Sequence, residues 1–171
     1  MKLYCLIINL FFSISLYSQY QYSSTYLDFY IKNNDVVFKK EYAFKTANID
    51  SNYNQLISVT NNKKHFSPSS VTKNTISGYL KNDRVDYRKY CGSWAWTSSY
   101  LHYPLYAYVN IEIKDSQYIV TVSGIFFYHL PKHKFFDIAT TKNHMKFKEG
   151  KTATESLKYL DSYLTDLFIL Q

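Results

Sequence analysis

The alternation of apolar and polar side chains between residues 105 and 113 restricts the fold of this chain more than any other feature. One face of the segment is entirely apolar, and it carries Leu105, Ala107, Val109, Ile111 and Ile113. A period of two over this length is typical of a strand with one face on a core and the other facing a wetter surrounding. After the turn-forming residues 114–117, residues 118–128 are again rich in β-branched and aromatic side chains. The pattern predicts two long consecutive strands.

The chain before this pair predicts four more strands. Residues 26–32 and 36–44 are rich in β-branched and aromatic side chains, and Asn33-Asn34-Asp35 between them has the composition of a hairpin turn. Weak alternation between residues 68 and 90 indicates two further strands, which we expect to join around Lys81-Asn82-Asp83.

Two helices complete the prediction. The first, near residues 50–62, has Asp50 or Ser51 as its N-cap and packs on the sheet through Leu56 and Ile57. The second, near residues 153–169, begins with the capping-box spacing of Thr152 and Glu155. Its apolar stripe consists of Leu157, Leu160 and Leu164, continued by Leu167 and Phe168.

The order of these elements predicts an α+β fold, with an antiparallel sheet of about five to six strands packed with two helices. Hydrophobic residues make up 46% of the 171 residues and charged residues 19%, which excludes a disordered chain. A chain of this length forms one domain and buries roughly 70% of the surface exposed when unfolded. We expect residues 19–171 to be that single domain.

Residues 1–18 have the pattern of a signal peptide. Lys2 precedes a 15-residue apolar run over residues 3–17, which is shorter than the roughly 20 residues that a membrane-spanning helix needs. Cleavage after Ser15 or after Ser18 fits the small side chains there, and Ser18 follows the whole run. Removal of the segment also removes Cys5 and leaves Cys91 alone. We therefore expect an exported protein, periplasmic or extracellular, without an internal disulfide and with no later transmembrane segment.

Four short stretches carry a resemblance to a known family. They are residues 36–42, 76–80, 107–115 and 118–123. In these strand and turn patterns, and in the order of its elements, the chain resembles a family of exported bacterial domains of unknown function with a TBP-like (TATA-binding-protein-like) fold. The resemblance covers roughly residues 35–170. It implies the TBP-like architecture and no activity, since DNA binding does not follow from an architecture.

Candidate catalytic and metal-binding patterns are incomplete. Cys91-Gly92-Ser93-Trp94 resembles the active-site stretch of papain-like proteases but lacks the second cysteine, which is their nucleophile. A cysteine-dependent hydrolase that uses Cys91 is therefore disfavoured. His129 and His133 have a zinc-ligand spacing, but Pro131 between them is unfavourable in a helix. Asp83 and Asp86 are interleaved with Arg84 and Arg88, as in a surface ion-pair patch. We expect no catalysis, no cofactor and no structural metal.

The charge distribution bears on possible partners. The net charge is +7, and six lysines concentrate within residues 132–151. Such a cluster fits a solvated loop or a contact with a polyanion. Because an exported protein rarely meets nucleic acid, we expect no nucleic-acid partner. An envelope polysaccharide or another envelope protein is the expected partner.

The loop at residues 91–104 is the candidate contact surface. Its binding candidates are Trp94, Trp96, Tyr100 and Tyr103. Loops run over protein surfaces, and Trp and Tyr combine a large contact area with a polar group, which suits sugar faces and protein partners. The alternative is that the loop folds back and its Trp side chains fill the rim of the core. The sequence thus predicts a non-enzymatic binding or envelope-associated domain, or else a structural component of an envelope complex.

Overall fold

The computed structural model describes residues 24–45, 48–128 and 135–170, and within them seven strands form one antiparallel sheet. The predicted signal peptide, His129 and His133 lie outside the described residues. The strands are β1 (Thr25–Tyr26), β2 (Phe29–Lys32), β3 (Asp35–Ala43), β4 (Phe66–Val71), β5 (Thr75–Asp83), β6 (Leu105–Ile113) and β7 (Gln117–Phe127). The helices are α1 (Ile49–Asn61), α2 (Phe135–Ala139) and α3 (Lys151–Phe168). The strand order is β1-β2-β3-β7-β6-β5-β4. The predicted α+β class is confirmed.

The strands β6 and β7 form the predicted long antiparallel pair. Val109 lies opposite Val122 and Ile111 opposite Val120, and all four side chains are fully buried. The five apolar residues of β6 all face the core, while Tyr106, Tyr108, Asn110 and Glu112 alternate with them on the opposite face. Strict alternation over nine residues leaves one register that buries every apolar side chain, which explains why this prediction was accurate.

The sheet has one strand more than the upper limit of the sequence prediction. The predicted hairpin turn is present, because β2 and β3 pair directly around Asn33 and Asn34, both of which have positive φ. The predicted first strand, however, is divided. Tyr26 pairs with Phe29 across a two-residue turn, in which Leu27 has a φ of 55°. Leucine rarely adopts this conformation, so the sequence contains no signal for the turn.

The predicted connection between β4 and β5 was placed at the wrong residues. The chain reverses at residues 72–74, where Thr72 N–H donates to the Thr75 carbonyl at 2.8 Å. Lys81-Asn82-Asp83 belongs to β5 instead. Asn82 has a φ of 54°, and the pairing of β5 with β6 shifts register between Leu80 and Asp83. The turn-forming residues therefore mark an irregularity within a strand.

Both predicted helices are present, but their N-terminal caps differ from the prediction. The N-cap of α1 is Asn48, whose side chain accepts a hydrogen bond from Ser51 N–H at 3.0 Å, so neither Asp50 nor Ser51 is the cap. The capping box of α3 does not form. Gly150 occupies the N-cap position without a side-chain hydrogen bond, and Glu155 pairs with Lys158 at 2.8 Å.

The hydrophobic core lies between one face of the sheet and the helices. Leu56 of α1 and Leu157, Leu160 and Leu164 of α3 are at most 1% exposed and belong to the same cluster as the inward side chains of the strands, whereas Ile57 is partly buried against that cluster. The described helices contribute to this single face. The opposite face of β5, β6 and β7 carries exposed side chains, including Tyr79, Tyr108 and Phe126.

Candidate functional site

The connection between β5 and β6, here called the aromatic loop, covers residues 84–104. Three short 3₁₀ turns form it, at Tyr87–Tyr90, Trp94–Trp96 and Ser99–His102. Between the first two turns Cys91 adopts a left-handed conformation, with a φ of 62°. Gly92 follows and approaches the first turn closely. A Cβ atom at residue 92 would lie 2.6 Å from the Tyr87 carbonyl oxygen, so this position requires glycine.

The third turn of the aromatic loop packs into the core. Tyr100 and Leu101 are 3% and 1% exposed, and the Tyr100 ring centroid lies 5.0 Å from that of Phe127 and 5.5 Å from that of Phe135. Burial raises the pKa of the Tyr100 hydroxyl well above its ordinary value. The prediction that Tyr100 is a contact residue is therefore corrected: its ring packs inside the protein and cannot meet a partner.

The aromatic loop is also attached to α3. Ser98 N–H donates to Ser156 Oγ at 2.8 Å, and Lys89 Nζ lies 2.7 Å from Asp166 Oδ2. The Tyr90 hydroxyl donates to the same carboxylate at 3.0 Å. The hydrogen bonds from Lys89 and Tyr90 lower the pKa of the Asp166 carboxyl, and the bond from Lys89 has the largest effect. The aromatic loop is thus attached to α3 at two places, Ser156 and Asp166.

The two tryptophans lie on the surface with different neighbours. Trp94 is 70% exposed, and its ring stacks on His102 at a centroid distance of 6.0 Å and an angle of 12°. Trp96 is 54% exposed, and Lys151 Nζ lies 4.7 Å from its ring centroid. Tyr103 is half-buried and packs against the core. The structure therefore separates the four predicted contact residues, and Trp94 borders a cavity.

That cavity, here called the Trp94 groove, has a volume of about 440 Å³. It is lined by Arg84, Val85, Asp86, Tyr87, Arg88, Trp94, Leu101 and His102. The His102 ring also contacts Tyr87, at a centroid distance of 5.4 Å. Its Nε2 atom is buried and has no hydrogen-bond partner among the described residues. The lining of the groove thus includes the exposed ring of Trp94 and two exposed arginines, Arg84 and Arg88.

Arg84 and Arg88 could not be recognised as groove residues from the sequence, because their alternation with Asp83 and Asp86 is typical of surface ion pairs. Within the described residues, no ion pair joins Arg84 or Arg88 to Asp83 or Asp86. Asp83 is 5% exposed and accepts a hydrogen bond from the Tyr163 hydroxyl at 2.6 Å. Burial, followed by the neighbouring Asp83, raises the pKa of Tyr163 above its ordinary value. Asp83 therefore fixes the end of β5 to α3, and the interpretation of it as a surface residue was wrong.

Cys91 lies between the first two turns of the aromatic loop. Its thiol is free and exposed. The imidazole of His102 packs on Tyr87 and Trp94, so the nearest histidine in the loop is engaged with aromatic rings. Across the described ranges, no group of three His, Cys, Asp or Glu side chains could hold a metal ion. Among the described helices, none combines the length and apolar character needed to cross a bilayer.

Comparison with known proteins identifies the fold. No protein-family model and no curated protein matches the chain. A crystal structure of a DUF4468 family protein from Bacteroides ovatus is similar, with a TM-score of 0.52, 15% sequence identity and coverage of 87% of both chains. A TBP-like protein from Parabacteroides distasonis has a TM-score of 0.48 and 13% identity over 81% of this chain and 93% of that chain. The first likeness confirms, at the level of the fold, the predicted resemblance to a family of domains of unknown function.

Proposed function

We propose that this protein is an exported, non-enzymatic binding domain that holds an acidic envelope polysaccharide at the Trp94 groove. The observation that carries the proposal is the exposed Trp94 ring at the border of a groove that also contains Arg84 and Arg88. A polysaccharide offers apolar ring faces and, when acidic, carboxylate or phosphate groups. The groove offers the Trp94 ring to the sugar faces and Arg84 and Arg88 to the acidic groups.

Trp94 supplies the stacking surface. A ring that is 70% exposed yet stacked on His102 keeps one face for a ligand while the other is supported. Because Tyr87 supports His102 in turn, the orientation of the indole is set before a ligand arrives. Preorganisation of this kind reduces the entropy lost on binding. Tryptophan is also among the residues that contribute most to binding energy.

Arg84 and Arg88 supply the charge selectivity. A guanidinium group is planar and donates two parallel hydrogen bonds to a carboxylate or phosphate. Asp86 is the one acidic side chain that lines the groove, so the groove has an excess of positive charge. We therefore expect binding of acidic polysaccharides to weaken as salt concentration rises.

The absence of catalysis is part of the proposal and is supported by the surroundings of Cys91. A nucleophilic thiol needs a base within hydrogen-bond reach. The Cys91 thiol is exposed, and the buried Nε2 atom of His102 has no hydrogen-bond partner among the described residues, so it accepts none from this thiol. We expect Cys91→Ala to leave polysaccharide binding unchanged.

The export part of the proposal is supported by Lys2 and the apolar run at residues 3–17. N-terminal sequencing of the protein recovered from outside the cytoplasm is expected to begin at or near Gln19. Recovery of an intact chain that begins at Met1 in the cytosol would contradict export.

Binding at the groove is tested by fluorescence titration. In a Trp96→Phe background the emission comes from Trp94 alone, since the chain has two tryptophans. Titration with polygalacturonate, an acidic polysaccharide, is expected to change this emission saturably. Replacing both arginines by Gln should weaken binding about tenfold or more, in line with two lost charge-assisted hydrogen bonds.

Arg84→Gln and Arg88→Gln are also made singly, and their matched control removes one positive charge far from the groove. Lys73 is exposed and lies in the turn at the opposite end of β5, so Lys73→Gln changes the net charge without changing the groove. We expect it to bind polygalacturonate like the parent protein. Equal weakening by Lys73→Gln and by the arginine variants would indicate non-specific attraction and would reject the proposed site.

A further inference from the structure

A second group of aromatic side chains lies on the face of the sheet opposite the helices, away from the residues of the Trp94 groove. This sheet-face patch consists of Tyr79, Tyr106, Tyr108, Phe126 and Tyr128. The side chains of Tyr79, Tyr108, Phe126 and Tyr128 are 45%, 37%, 47% and 51% exposed. Large apolar groups exposed together on a sheet face indicate an interaction site more often than isolated ones do.

The patch is ordered by the register of three strands. Tyr79 of β5 lies opposite Tyr108 of β6, with ring centroids 5.4 Å apart in an edge-on arrangement. Tyr106 lies opposite Phe126 of β7, with rings stacked at 4.9 Å and nearly parallel. The two ring pairs follow each other along β6, because Tyr106 and Tyr108 point to the same face. The result is a row of rings held on a rigid sheet.

A bulge opens a cleft between the two ring pairs. The register of β6 and β7 shifts between Tyr106 and Tyr108, and Gly124 at the bulge has a φ of 59°. A Cβ atom at Gly124 would have no atom within 4 Å, so the space above the bulge is empty. The cleft has a volume of about 310 Å³ and is lined by the rings of Tyr79, Tyr106, Tyr108 and Phe126.

The charge and the size of the cleft indicate which class of ligand it can hold. Lys81, with its Nζ 5.7 Å from the Tyr79 ring centroid, is the one charged side chain that lines the cleft. Its ammonium group lacks the planar pair of donors with which the arginines of the Trp94 groove match a carboxylate or phosphate. The four exposed rings offer about 270–450 Å² of surface, which is their exposed fraction of the roughly 150–250 Å² of an aromatic side chain. A stable protein interface buries about 800 Å² on each partner. The cleft volume instead lies at the lower end for small-ligand sites.

We propose that the sheet-face patch binds a short segment of a neutral polysaccharide, with sugar faces on the rings and sugar hydroxyls at the tyrosine hydroxyls. An uncharged ligand with flat apolar faces and many hydroxyl groups matches an aromatic cleft lined by three phenols and one ammonium group. This site is independent of the Trp94 groove, which has two arginines and fits an acidic ligand.

The test uses isothermal titration calorimetry of the protein with three soluble neutral polysaccharides: mannan, laminarin and dextran. We expect at least one to bind. Tyr108→Ala should then weaken binding about tenfold, whereas Tyr108→Phe, which keeps the ring, should weaken it less. Trp96→Ala is the matched control, because it removes a ring that is 54% exposed and that lines neither the cleft nor the Trp94 groove. It should leave neutral polysaccharide binding unchanged.

Several results would contradict the proposal, and each has a different meaning. Binding of none of the three polysaccharides, or equal binding by Tyr108→Ala, overturns the proposal. A dimer in sedimentation that Tyr108→Ala dissociates assigns the patch to self-association, and tighter binding of oligodeoxythymidine assigns it to single-stranded nucleic acid. Failure here leaves the groove proposal standing, since that one depends on polygalacturonate and on Arg84 and Arg88.

Discussion

Deletion of residues 151–171 is expected to abolish cooperative folding of the remaining chain. The deletion removes α3, whose apolar stripe closes the core. Its most buried large side chains, Leu157, Leu160, Leu164 and Phe168, are between 0% and 2% exposed. Burial of four such side chains stabilises the fold by about 6–12 kcal/mol. That amount is comparable with the ~5–15 kcal/mol total stability of a typical domain.

Loss of α3 also removes polar partners from the rest of the protein. The Tyr118 hydroxyl, on a residue that is 1% exposed, donates to the Phe168 carbonyl at 2.8 Å. The Tyr42 hydroxyl donates to the Thr165 carbonyl at 3.1 Å, and Asp83 receives its bond from Tyr163. Groups left without these partners and still buried cost about 1–3 kcal/mol each. The loss of apolar burial and the loss of hydrogen-bond partners both destabilise the shortened chain.

The measurement is urea denaturation followed by near- and far-ultraviolet circular dichroism. The shortened chain should show no sharp transition and no near-ultraviolet signal. Lys158→Ala in the full chain is the matched control, because it removes only an exposed ion pair with Glu155 from the outer side of the same helix. It should change the free energy of unfolding by less than about 0.5 kcal/mol. A sharp transition in the shortened chain would show that α3 lies outside the cooperative core.

The parts of the fold that could be predicted are those in which one local pattern has one solution. The alternation in β6 and the apolar stripe of α3 each leave a single way to bury their apolar side chains. The Asn33-Asn34 turn was predictable because asparagine tolerates positive φ. The Leu27 turn and the reversal at residues 72–74 contain no Gly or Pro, and tertiary packing determines them.

The candidate site could be predicted only in part, because residue type does not determine burial within a loop. Trp94 and Tyr100 belong to one aromatic segment, yet the third 3₁₀ turn directs Tyr100 inward while Trp94 stays outside. Arg84 and His102 meet in one groove although 18 positions apart, which no spacing rule anticipates. The outward direction of Tyr106 and Tyr108 was predictable from alternation. Their pairing with Phe126 and Tyr79 depends on strand register and on the bulge at Gly124.

The structure predicts stability effects of very different size for two aromatic residues six positions apart. Tyr100→Ala removes a ring that is 3% exposed and packed on Phe127 and Phe135. A cavity of that size costs about 3–5 kcal/mol of unfolding free energy, as in other truncations of large buried aromatic side chains. Trp94→Ala removes a ring that is 70% exposed, and exposed positions usually change stability by less than about 0.5 kcal/mol.

Urea midpoints of the two variants and the parent, measured side by side, check this difference. We expect a large decrease for Tyr100→Ala with an unchanged slope, and a midpoint close to the parent for Trp94→Ala. Tyr100→Phe distinguishes the stability contribution of the ring from that of its hydroxyl. It retains the packing on Phe127 and should lose much less stability than Tyr100→Ala. A large loss in Trp94→Ala would mean that the indole is part of the packed rim of the core. In that case the groove would lose the free aromatic face on which polysaccharide binding depends, because a ring needed for packing is not available to a ligand.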